Sequence, residues 1–207
     1  MKSKELAVYI VDDDEKFRES LKELVSAMGY QAYGFVSAED FLKLNSFCRP
    51  ACLLLDIFLP NLNGLALQGE LQARGVTLPI IFVTGHGDVP MSVKAIKKGA
   101  VDFLLKPFQT NDLRLAINSA HELDKQNVKE ESRRKKILSY IATLTTREQE
   151  VMRQIITGKL NKQIAASMGT AEKTIRKHRG PVMKKMHVSS VADLVRALEA
   201  VGIVHSS

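Results

Sequence analysis

Five short apolar runs rich in aliphatic and β-branched residues, at 6–11, 31–35, 51–58, 78–84 and 101–105, alternate with amphipathic segments at 15–28, 37–44, 65–74, 89–98 and 111–123. No other feature of the chain constrains its fold as tightly. Strands separated by helical crossovers pair in parallel, and apolar runs without polar alternation must be covered on both faces. The first part of the chain therefore predicts an α/β unit, a doubly wound five-stranded parallel sheet. Sheets of this kind hold ligands beyond the carboxyl ends of their strands, where the strand order reverses.

The rest of the chain follows a different pattern. From 124 to 136 the run DKQNVKEESRRKK has a single apolar residue, and Glu130 and Glu131 stand four residues before Arg134 and Lys135. That spacing supports an exposed helix, and no Gly or Pro interrupts it. A helical linker continuing the fifth helix is expected. Beyond it the chain predicts four short helices, the first capped by Thr145 or Thr146 with Glu148 or Gln149 and stopped by Gly158. The expected boundaries are 1–122, 123–141 and 142–207.

Charge divides along the same line. Residues 1–122 carry 13 Lys+Arg against 15 Asp+Glu, whereas 123–207 carry 17 against 8, so the formal +7 of the chain resides in its second half. A basic surface suits a polyanion, although on charge alone a solvated face explains it equally well. Cys48 and Cys52 lack the further ligands of a metal site and are expected to be reduced and partly buried beside a strand. The N-terminus has no signal-peptide pattern and no run of ~18 apolar residues occurs, so a cytoplasmic protein without a membrane partner is expected.

Polar residues collect at the expected strand ends: Asp12, Asp13 and Asp14 after the first, Asp56 near the end of the third, Thr84 closing the fourth, and Lys106-Pro107 after the fifth. Singly, each has a bland explanation as a cap, a turn or a solvated charge. Together they predict an oxygen-rich pocket for a hard cation such as magnesium, with an ammonium and a hydroxyl placed to stabilise a phosphoryl group in transit. An aspartyl phosphatase would want a second acid two residues after its nucleophile, and Asp56-Ile57-Phe58 supplies none. The second half lacks a G-x-S-x-G elbow and a metal-ligand helix, so an enzymatic output is not expected.

The runs YIVDDDEKFRESL, LLLDIFLPNLNG and IIFVTGHGDVPMSVKAIKKGAVDFLLKPF resemble the receiver domain of two-component response regulators, over about residues 5–122, and the last is especially similar to the FixJ branch. The resemblance implies a flavodoxin-like receiver with Asp56 as phosphoacceptor. It implies magnesium held by Asp13, Asp56 and the backbone carbonyl of Phe58, with Asp12 joining through water. Thr84 and Lys106 would sense the phosphoryl oxygens, the Lys106-Pro107 peptide would be cis, and Phe103 would take the switch-aromatic position. Phe there carries no hydroxyl, so its inward state would rest on packing. The implied partners are a sensor histidine kinase and a second copy of the chain on phosphorylation. The dimer would form through the face of 89–98, 101–105 and the helix after Pro107.

In the second half, helices expected at 161–168 and 171–186 flank Gly169-Thr170, a short turn with the pattern of a helix-turn-helix. Ile164, Ala165, Met168 and Ile175 form the expected seam, which leaves Lys173, Arg176, Lys177 and Arg179 as a basic stripe on the second helix. LTTREQEV, GKLNKQIA, TIRKH and MKKMHV are similar to the LuxR/NarL-type helix-turn-helix. That resemblance implies promoter DNA as partner, base contacts from Arg176 and Lys177, and phosphate contacts from Lys162, Arg179, Lys184 and Lys185. RNA polymerase is the expected further partner. Gly169-Thr170 replaces the usual aliphatic residue and Ser. Gly180-Pro181 falls inside the recognition helix, where local rules predict a kink after 172–179 or a new helix starting at Pro181.

Overall fold

The computed structural model describes residues 6–85 and 89–203, and the chain divides into two compact units between Lys129 and Glu130. In the first unit, β1 (Ala7–Val11), α1 (Glu15–Ala27), β2 (Gln31–Phe35), α2 (Ala38–Leu42), β3 (Ala51–Leu55), α3 (Gly64–Ala73), β4 (Ile80–Thr84), α4 (Val89–Lys97) and β5 (Asp102–Leu105) follow in order. All pairings are parallel and the strand order is β2-β1-β3-β4-β5. The sheet is the expected doubly wound one, with its order reversing between β1 and β3.

The central strands are buried on both faces, which is why they read as unbroken apolar runs. Alternate residues go to opposite sides. Val8, Ile10, Leu54, Ile81 and Val83 pack with Leu21 and Val25 of α1 and with Leu113, Ala116 and Ile117 of α5 (Thr110–Ala142). Tyr9, Leu53, Leu55 and Phe82 pack with Phe41, Leu67, Leu71 and Ala95 of α2, α3 and α4. Truncating any of these buried Leu or Ile side chains to Ala would cost ~2–5 kcal/mol. Side-chain oxygens of Asp14, Ser37 and Asn63 cap α1, α2 and α3.

The third strand stops at Leu55, short of the end of the apolar run at residue 58, so Asp56 stands at its end as expected. Asp124, the first residue of the run expected to form an exposed helix, is instead fully buried. It pairs with Arg49 and accepts the Ala51 amide at 2.7 Å, which anchors this turn of helix to the start of β3. The helix itself, α5 (Thr110–Ala142), runs for 33 residues through the expected linker. Cys52 is buried in β3 whereas Cys48 is exposed. The Lys106-Pro107 peptide is cis, and so is Arg49-Pro50.

In the second unit the last turns of α5 are followed by α6 (Thr146–Ile155), α7 (Asn161–Ser167), α8 (Glu172–Lys185) and α9 (Val191–Glu199). Thr145 is the cap of α6, in a reciprocal capping box with Glu148. Val151, Met152, Ile155, Ile164, Ile175, Val182, Leu194 and Leu198 form one core, with Met168 packed against it. Gly158 and Gly169, at φ 78° and 61°, make the turns after α6 and α7.

Gly180-Pro181 does not divide α8, which is a single helix containing Pro181, so the reading in which Pro181 starts a separate helix is overturned. Gly180 and Pro181 are both exposed. On that side water can satisfy the Lys177 carbonyl that a proline nitrogen cannot reach.

Candidate functional site

Strand register assembles the first site. Val11 of β1 is paired with Leu55 of β3, so Asp12 and Asp56 leave neighbouring strands side by side, and the Asp56 amide donates to the Val11 carbonyl at 2.9 Å. Thr84 pairs with Leu105, and the Lys106 amide donates to the Thr84 carbonyl at 2.8 Å. Four strand ends thus bring the expected Asp12, Asp13, Asp56, Thr84 and Lys106 to one edge of the sheet.

Carboxylate oxygens of Asp12, Asp13 and Asp56 all lie within 4.8 Å of one another. Lys106 Nζ donates to Asp12 Oδ2 at 2.7 Å and to Asp56 Oδ2 at 3.0 Å. Burial pushes the Asp12 carboxyl up, and Asp56 pushes it further, against the opposing pull of Lys106. For Lys106 the balance is reversed: burial acts to lower it, but the bonds to Asp12 and Asp56 outweigh burial and the ammonium is held more tightly than usual. Three close carboxylates facing one ammonium leave excess negative charge, and this all-oxygen donor set fits a hard divalent cation.

Asp56 Oδ1 accepts the Phe58 amide at 3.0 Å, while the Phe58 side chain is exposed. Thr84 is fully buried. Phe103 is half-buried and packs against the core cluster that includes Phe82 and Ala95.

Three supporting features carried no sequence signal strong enough to be singled out. The Phe17 ring lies 3.7 Å under Lys106 Nζ, and an Arg18 guanidinium N–H donates to the Asp12 carbonyl at 2.8 Å. Gly64 approaches the loop that follows Asp56 so closely that a Cβ there would meet the Asp56 carbonyl oxygen at 2.3 Å. The run LPNLNG ends on this glycine, and that is the signal that could have found it.

On the second unit, Lys162, Lys173, Arg176, Lys177 and Lys184 are exposed. Arg176 pairs along its own helix with Glu172 at 3.1 Å, and Arg179 donates to Asn161 Oδ1 at 3.1 Å, bracing α8 against the start of α7. Lys185 differs from the rest. Half-buried, its ammonium is engaged by Glu148 Oε2 at 2.6 Å and the Thr143 carbonyl at 3.2 Å. That bond, then the Thr145 amide, holds the Glu148 carboxyl below the usual range.

Comparison with known proteins finds a family for each unit. The family "Response regulator receiver domain" matches residues 8–118, and "Bacterial regulatory proteins, luxR family" matches 142–198. The chain is 44% identical over 196 residues to nodulation protein W of Bradyrhizobium diazoefficiens, covering 95% of this chain and 86% of that protein. It is 43% identical over 199 residues to response regulator protein TmoT of Ectopseudomonas mendocina, covering 96% and 90%. Among solved structures, response regulator StyR is similar at 38% identity and a TM-score of 0.78, covering 94% of this chain and 98% of that one. Full-length FixJ from B. japonicum is similar at 37% identity and a TM-score of 0.55, covering 96% and 98%.

Proposed function

The chain belongs to the response regulators that join a receiver domain to a LuxR-family DNA-binding domain, and from that premise we propose that phosphorylation of Asp56 by a sensor histidine kinase drives dimerisation and promoter binding, activating transcription. The observation that carries this reading is the convergence of Asp12, Asp13, Asp56 and Lys106 at adjoining strand ends. The receiver takes 1–122, the helical linker 123–141 and the DNA-binding domain 142–207. Its place of work is the cytoplasm, where promoter DNA and RNA polymerase are.

Asp13, Asp56 and the Phe58 carbonyl are the residues to hold magnesium, with Asp12 acting through water. Bound there, the ion supplies charge neutralisation for the carboxylates and for the incoming phosphoryl oxygens. Asp56 presents a carboxylate oxygen to phosphorus as the bond to the donor imidazole breaks. Lys106 is already within hydrogen-bond reach of Asp56, and it stabilises the transferred group together with the Thr84 hydroxyl. The product is an acyl phosphate of this chain itself, which water can hydrolyse, and no further substrate is turned over.

A phosphoryl group adds about −1.5 to −2 charge. Thr84 and Lys106 are drawn toward it, space opens for Phe103 to move inward, and the face of α4, β5 and α5 is remodelled. Val93, Ile96 and Leu105 are exposed apolar side chains on these elements, as a dimer surface requires. In the DNA-binding domain Arg176 and Lys177 read bases, with Lys173 beside them, and Lys162, Arg179 and Lys184 grip phosphates. Lys185 serves the fold through Glu148 instead of DNA.

Incubation with acetyl phosphate and a magnesium salt, followed by intact mass measurement, tests the central claim. The wild-type chain gains one phosphoryl mass and Asp56→Asn gains none while keeping its circular dichroism spectrum. An adduct of full yield on the variant would move the acceptor elsewhere.

A further inference from the structure

The second unit carries a cleft of about 430 Å3 where the last turns of α5 meet the turn between α8 and α9. Its floor is apolar: Ile137 and Met186 are buried, and the rings of Tyr140 and His187 lie with centroids 4.4 Å apart. Its rim is cationic. Arg133 and Lys136 share with Ile137 and Tyr140 one face of α5, at helical spacing, and Arg196 faces them from α9.

Two other cations of α5 are matched to acids, Lys135 with Glu131 at 2.7 Å and Lys125 with Glu122. Among the described residues, Arg133 and Lys136 have no carboxylate partner; Lys136 instead lies over the Tyr140 ring at 5.9 Å. Asp193, the acid that lines the cleft, is already committed. It accepts from Arg196 at 2.6 Å and from the hydroxyls of Ser189 and Ser190 at 3.0 and 2.7 Å. The cleft therefore presents uncompensated positive charge over an apolar floor.

His187 owes its place in the cleft to its backbone. Its φ of 53° lies in the left-handed region that residues other than glycine seldom adopt. It is the residue at which α8 stops, with the Val188 amide donating to the Met183 carbonyl at 3.1 Å, and it sets the exposed His187 ring at a tilt against Tyr140. A site for bare anions needs no aromatic floor. A purely apolar site needs no cluster of cations.

We propose that this cleft binds a small organic carboxylate with a flat apolar body, the carboxylate between Arg133, Lys136 and Arg196 and the body against Tyr140 and His187. Guanidinium forks match a carboxylate in a plane, and the volume falls within the roughly 300–1,000 Å3 of small-molecule sites. Because the cleft opens on the turn that ends α8, a ligand there touches the helix that carries Arg176 and Lys177.

The test uses the full chain with 2-naphthoate as probe, followed by titration calorimetry and saturation-transfer NMR. Saturable binding is expected, with 2-naphthamide weaker by about tenfold and the double variant Arg133→Gln/Lys136→Gln weaker by a similar factor. Both variant positions are exposed, and an unchanged melting curve verifies the fold. Lys177→Gln, away from the cleft, should bind the probe as the wild type does. Equal affinity for the amide would reduce the site to apolar adsorption. Displacement of 2-naphthoate by equimolar inorganic phosphate or by duplex DNA would reduce it to a general anion surface. Either result, or no saturable binding, overturns the proposal.

Discussion

Lys106 holds Asp56 through Oδ2, at 3.0 Å, and the Phe58 amide holds Oδ1, also at 3.0 Å. Both oxygens of Asp56, the proposed phosphoacceptor, are therefore oriented by hydrogen bonds. The same ammonium binds Asp12 more closely, at 2.7 Å. One cation thus links the acceptor to the most buried carboxylate of the pocket, and removal of a carboxylate should have opposite effects on stability and on metal binding.

Asp12→Asn should raise the melting temperature of the receiver at neutral pH while weakening magnesium binding. The folded Asp12 carboxyl is pushed above its ordinary value by burial, so the folded state holds that proton more tightly than the unfolded chain. Stability then falls as pH rises from the ordinary aspartate range through the raised folded value. Melting curves across pH 3.5–8, with and without magnesium, check this. A melting temperature that falls at neutral pH would show that the bond to Lys106 outweighs burial.

Substitutions on α8 should divide by kind. Arg176→Ala or Lys177→Ala should cost ~1–3 kcal/mol of discrimination between specific and scrambled DNA. Lys184→Ala should weaken both DNAs alike and lower the salt slope by about one. Lys185→Ala should act mainly on stability, because its ammonium is already bound to Glu148 and Thr143. Binding titrations at several salt concentrations distinguish the classes, and equal losses on both DNAs for all variants would remove the base-reading assignment.

Gly180→Ala and Pro181→Ala should each stabilise the second unit. A Cβ at position 180 meets nothing within 4 Å, and glycine in a helix costs about 1 kcal/mol relative to alanine. Pro181 lies inside a continuous helix, where restoring the amide should contribute ~1–3 kcal/mol. Calorimetric melting of the full chain measures both. If Pro181→Ala melts lower, the proline ring is supplying packing that its exposure does not suggest.

Glu148→Ala should destabilise the second unit by ~1–2 kcal/mol through loss of the capping box and of the partner of Lys185. Its carboxyl is depressed in the folded state, so its stabilisation is fully present above the ordinary glutamate value and is lost as pH falls through the depressed one. The variant should therefore show a flatter acid limb than the wild type in chemical denaturation at pH 2.5–6. Parallel curves for the two proteins would contradict the assignment.

The alternation of strands and helices was legible because fully buried strands leave unbroken apolar runs, and the pocket was legible because Asp12, Asp56, Thr84 and Lys106 stand next to those runs. Contacts set by distant pairing were not. Asp124 looks like the start of a polar tether until Arg49, 75 residues earlier, is placed against it. Lys185 looks like one more cation of a basic helix until Glu148 is brought beside it across 37 residues. Composition marks both as solvent-exposed, and only the tertiary neighbour reverses that. The continuity of α8 was hidden for the opposite reason, since local rules against Gly-Pro hold less strictly on a face where water can satisfy the freed carbonyl.

The close approach of Gly64 to the Asp56 carbonyl bears on how defects in this protein would be interpreted genetically. Any side chain at 64 must displace the backbone that carries Asp56, the proposed phosphoacceptor, even though every carboxylate, the threonine and the lysine remain encoded. Alleles there would behave as signalling nulls in a chain that still folds and still carries its DNA-binding half. A survey that scored only the charged residues would pass them as wild type.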